Sequence, residues 1–147
     1  MSTPLLRRLR DLPDFEVASR DPDPRGWAVR GGDGQRLGLV YELIVEPAAL
    51  QVRYLDVALD EQLRLGEPER HILLPIGVAA LDAEDDNVFV PALDRASVYR
   101  YPPYVELQIT RDYEQAMLRA LNLPAPPADD FYSQAAHDTT AFYRSRR

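Results

Sequence analysis

The chain has no cysteine. Disulfides, thiolate nucleophiles, iron–sulfur clusters and cysteine-ligated zinc are therefore excluded. It has no lysine either: all 17 basic residues are arginine. Only Arg7, Arg8 and Arg10 near one end and Arg144, Arg146 and Arg147 at the other are grouped. Scatter of this kind reads as a compositional bias rather than an anion-binding face. No apolar run approaches the roughly 18–20 residues that cross a bilayer, and no apolar signal core follows the first arginines. A cytoplasmic location is the expectation. Histidine occurs only as His71 and His137. The serines, Ser2, Ser19, Ser97, Ser133 and Ser145, lie in arms or polar stretches without the nucleophile elbow of a hydrolase. A formal net charge of −7 counts against nonspecific nucleic-acid binding, which depends on neutralising phosphates.

What is present is a run of short apolar segments broken by glycine turns. Trp27 opens a first strand, and Gly31-Gly32-Asp33-Gly34 supplies a tight hairpin turn. A second strand follows over residues 36–45, with Gly38 suited to a bulge or a close backbone approach. A third covers residues 50–59 and carries apolar residues on both faces, as in a small barrel with something packed on its outside. His71 begins a fourth, and Pro75 marks it as an edge or an end. Residues 78–81 and 88–90 give two more, joined by an acidic turn. Of the 13 prolines, nine lie outside this middle, so the ends look like arms. Residues 1–11 suggest a short helical turn with a stripe of Leu5, Leu6, Leu9 and Leu12, and residues 94–99 suggest another, capped by Asp94. Thr110 caps a helix running to about Leu121, with Asp112 and Glu114 in its first turn.

The ordered set Gly26-Trp27-x-Val29, Asp33-Gly34-x-x-x-Gly38, Arg53-Tyr54-Leu55 and Pro75-Ile76-Gly77 resembles the PRC-barrel domains, above all the cytoplasmic barrel of the photosynthetic reaction centre H subunit. The resemblance implies a mainly β fold, a small antiparallel β-barrel of about six strands over residues 23–104, flanked by an N-terminal arm (1–22) and a C-terminal helix and arm (105–147). It implies a barrel that docks on other macromolecules. It brings no catalytic, metal or cofactor residues with it. Gly26, Trp27, Asp33, Gly34, Gly38, Arg53, Tyr54, Leu55, Pro75 and Gly77 are then structural signature positions.

The remaining features favour structure over chemistry. The two histidines have no triad company in the sequence. The acidic run Asp82, Glu84, Asp85 and Asp86 lacks the spacing of a calcium loop and reads as a solvated turn. Arg53, a charge in an apolar strand, calls for a carboxylate partner, with Asp56 or Glu42 in reach. Tyr99, Tyr101 and Tyr104 form one aromatic group, and Phe131, Tyr132, Phe142 and Tyr143 another in the arm. Aromatics are enriched in interface cores, so these are the candidate interface. The functional expectation is a non-enzymatic protein-interaction or scaffold module that self-associates, most simply as a dimer. The alternative is a membrane-associated accessory factor for electron transfer or complex assembly. No cofactor is expected.

Overall fold

The computed structural model describes residues 6–12, 22–82, 84–105, 109–124 and 128–144. Ser2, Leu5, Ser19, Ser145, Arg146 and Arg147 lie outside the described residues. The elements run β1 (Arg7–Arg8), β2 (Ala28–Gly31), β3 (Arg36–Glu46), β4 (Gln51–Leu59), β5 (His71–Pro75), β6 (Ala80–Asp82), β7 (Asn87–Val90), α1 (Arg111–Ala120) and α2 (Thr139–Arg144). Short 3-10 turns at Leu9–Asp11, Ile76–Val78, Val98–Arg100, Ala128–Ser133 and Ala135–His137 are among the connections.

The β2–β3 hairpin forms where the glycines predict it. Gly34 takes φ 78°, a value open to glycine at no steric cost. The Asp33 carboxylate accepts from the Gln35 amide at 3.0 Å, which closes the turn. β3 is the longest strand, and one edge of it serves two partners: β2 along residues 36–39 and β1 at residues 44–45. Its other edge pairs with β4, and β4 pairs with β5. The sheet order is β5-β4-β3-β2-β7-β6.

Mainly β, barrel-like architecture therefore stands, with three differences from the sequence expectation. The sheet has seven strands and is not closed by hydrogen bonds, since its path stops at β5 and β6. Pro75 ends β5 without an N–H to donate, and the 3-10 turn Ile76–Val78 then lifts the chain away. Second, β2 and β7 pair in parallel. Third, the described part of the N-terminal segment, residues 6–12, is not an α-helical turn. Arg7 and Arg8 are drawn into pairing with β3, and Leu9–Asp11 form a 3-10 turn.

Four residues alone separate the two end strands, so those strands lie at most roughly 18 Å apart and the sheet must curl. The C-terminal segment packs over this seam: residues 135–144 lie against the 76–78 turn, β4 and β6. The hydrophobic core consequently runs without a break from Leu9 through the strands to Leu118, Phe131 and Phe142. α1 begins at the predicted cap, with Thr110 Oγ1 accepting from the Tyr113 amide at 3.1 Å. The turn expected at 94–99 tightens into 3-10 geometry, opened by reciprocal bonds between Asp94 and Ser97.

Candidate functional site

Two bulges decide which side chains meet. Between β3 and β4 the register passes from Val40↔Val57 to Glu42↔Asp56, so Tyr41 is the extra residue. A bulge of this kind re-aims its side chain, and the Tyr41 ring comes to rest edge-on to His71, 5.0 Å between centroids. His71 opens β5 opposite Ala58. Asp56 lies two residues along β4, the diagonal neighbour that a long side chain reaches across a pair of strands. Its Oδ1 is 2.6 Å from His71 Nδ1, and Glu69 Oε1 is 2.9 Å from Nε2. The bond to Asp56 is the largest influence on the ring and holds its pKa above the ordinary imidazole value, against partial burial; Glu69 adds to it.

These residues line a solvent-open groove of about 650 Å³. Tyr41, Pro103, Tyr104 and Val105 give it apolar walls, while Arg8, Arg70, Glu67 and Glu69 bring charge. The Tyr104 amide donates to the His71 carbonyl at 2.7 Å, fixing the far wall to the edge of β5. Both nitrogens of His71 lie within hydrogen-bond distance of carboxylates, an arrangement that favours the protonated ring. The described lining contains no serine, threonine or cysteine.

His137 belongs to a different, enclosed cluster. Glu114 of α1 is fully buried, and its Oε2 accepts from Tyr54 of β4 at 2.8 Å and from Tyr132 at 2.5 Å. Its Oε1 takes a bond from Arg111 Nε at 3.2 Å. His137 Nε2 lies 2.9 Å from the Tyr54 hydroxyl, so the cluster ties strand, helix and C-terminal segment together. Burial raises the Glu114 pKa and pushes His137 down to about 3, where Arg53 and Arg111 add to the effect. Every side chain here is partnered within the chain, as buried polar groups require.

The signature positions serve the fold. Gly26 has positive φ in a turn, and a Cβ on Gly38 would lie 2.1 Å from the Ala58 carbonyl. Trp27 is half-buried against the core, and Leu55 is fully inside it. Arg53, the extra residue at the second bulge, pairs neither with Asp56 nor with Glu42. Its Nε donates to Glu46 at 2.8 Å and an Nη to the His137 carbonyl at 3.0 Å. Asp56 is engaged by His71, and Glu42 by Arg10 and Arg25. Gly77 has a reason the sequence concealed: a Cβ there would meet the Ala135 carbonyl oxygen at 1.8 Å.

The candidate interface aromatics divide. Tyr101, Phe131, Tyr132 and Phe142 are buried in the chain's own core. The arm that carries three of them covers the seam instead. Tyr143 is half-buried. Tyr99 remains 41% exposed, and Tyr104 stacks on Tyr113 while walling the groove. Of the groove residues, Tyr41, Glu69 and Arg70 were not singled out in the sequence, and Asp56 was marked only as a candidate partner for Arg53. The Glu69-Arg70-His71 triplet at a strand start was the only available signal.

A sequence model of the PRC-barrel domain matches residues 16–96, more than half of the chain.

Proposed function

The chain belongs to the PRC-barrel domain family, and on that basis we propose that it is a non-enzymatic binding module that seats a segment of a partner protein in the groove beside His71. The family is in general non-enzymatic. The groove carries this reading: a doubly anchored imidazole at its base, aromatic walls from Tyr41 and Tyr104, and Val105 at 81% exposure on its rim. A large apolar side chain left in water next to a concave polar site gains by being covered. Self-association is not the reading favoured, because the aromatic arm that suggested it packs on its own chain.

The test uses Tyr41→Glu with Val105→Glu, both exposed enough to leave the core intact. Cross-linking and capture from native cells should recover a partner with the wild-type chain and lose it with the double variant at an unchanged melting temperature. Equal recovery by both would remove the groove from the interaction.

A further inference from the structure

We infer that this groove is a carboxylate-recognition site: Arg70 takes one carboxylate that sits beside an aromatic or apolar side chain, as on a protein C-terminus or on an acidic residue with a hydrophobic neighbour. The inference rests on the binding-module reading and names the chemistry that the module selects.

The cationic groups around the groove are not equivalent. Arg8 is paired with Asp11 at 3.0 Å. His71 is satisfied by Asp56 and Glu69. Arg70 is different: its Nε is buried and has no hydrogen-bond partner, alone among the buried side-chain polar atoms of the described residues. A buried charged donor without an acceptor is costly, and native structures keep few of them. The residue is also held in place, since its carbonyl accepts from the Leu59 amide at 2.9 Å and fixes it to β4 just before β5 begins. The backbone is thereby fixed and Nε is closed to solvent, so the guanidinium on the groove lining offers its outer nitrogens as the fork for a planar two-oxygen anion.

Charge selects which anion. Arg8 and Arg70 share the lining with His71 and with three carboxylate residues, Asp56, Glu67 and Glu69. A phosphate dianion would meet three carboxylates at short range, whereas a single carboxylate brings half that charge and still satisfies the fork. Tyr41, Tyr104 and Val105 then account for the neighbouring hydrophobic group. The volume of about 650 Å³ suits one or two residues of a peptide.

The probes are N-acetyl-phenylalanine, its amide, and N-acetyl-Phe-Glu amide, titrated into the full chain while the Arg70 Nε–H resonance is followed by NMR. Either acid should move that resonance and those of Tyr41 and Tyr104, and the neutral amide should bind at least tenfold more weakly. The stronger of the two acids tells a terminal from a side-chain carboxylate. Arg70→Gln should lose at least tenfold in affinity and Arg70→Lys should recover only part of it. Equal binding of acid and amide, undiminished binding by Arg70→Gln, or tighter binding of inorganic phosphate would overturn the inference. The wild-type comparison holds whether or not the variants fold. If the acids fail while the groove variant still loses its captured partner, only the carboxylate assignment falls. If the acids bind and capture is unaffected, the carboxylate site stands and the protein-partner reading falls.

Discussion

His137 shows how position overrides residue type. Its imidazole is fully buried among Tyr54, Tyr132 and Phe131, with Arg53 and Arg111 close enough to repel a proton. Desolvation and those two charges push its pKa down to about 3, while the unfolded chain titrates near the ordinary value of about 6.5. As pH falls the unfolded state takes the proton first. His137's share of stability is therefore intact above pH ~6.5 and is lost progressively down to pH ~3, by at most about 1.4 kcal/mol per pH unit. Glu114 works in the opposite sense: its raised pKa gives stability that is complete below the ordinary carboxyl value and lost as pH rises through its native one. The difference between wild type and His137→Asn isolates the histidine. Urea unfolding from pH 7 to pH 4 should show a steeper loss in the wild type, and parallel curves would refute the assignment.

At the scale of elements, the least expected contact is backbone on backbone. The 76–78 turn and the 135–137 turn approach so closely that only glycine fits at position 77. Neither carbonyl nor chain can yield as a flexible side chain would, so Gly77→Ala must part the two turns. The expected cost is about 1–3 kcal/mol, the range for forcing an extra methyl into a packed region. Hydrogen exchange should rise at residues 135–144 before it rises in β3 and β4. Uniform loosening, or no loosening, would mean that the close approach does not hold the segment down. Much of the element level was legible beforehand. The hairpin at Asp33-Gly34 and the cap at Thr110 follow from local chemistry that needs no tertiary information. The bulges at Tyr41 and Arg53 were not legible, because a one-residue slip leaves no mark in an apolar pattern that already covers both faces. That slip is why the groove beside His71 escaped notice.

For the molecule as a whole, the C-terminal segment is part of the core rather than an arm awaiting a neighbour. Phe131 and Phe142 are buried, and burying side chains of this size contributes ~1.5–3 kcal/mol each. The full chain should then sediment as a monomer of 16.7 kDa. A chain ending at Leu121 should lose its cooperative unfolding transition and associate, because the seam between β5 and β6 would open onto Tyr54 and Ile76. A cooperative, monomeric truncated chain would show that the segment is dispensable, and a stable full-length dimer would restore self-association.

The sequence by itself determined the succession of strands from β2 to β7, the glycine hairpin, the helix cap and the barrel-like class. Each depends on glycine, proline or capping chemistry acting within a few residues, or on a pattern shared with a family. Tertiary structure alone decided that the sheet stays open, that the aromatic tail fills the opening, and that His71, Asp56 and Arg70 share one groove while His137 is sealed away. These outcomes depend on which residues meet across long stretches of chain, where register, bulges and the competition for buried space settle matters that no local pattern records.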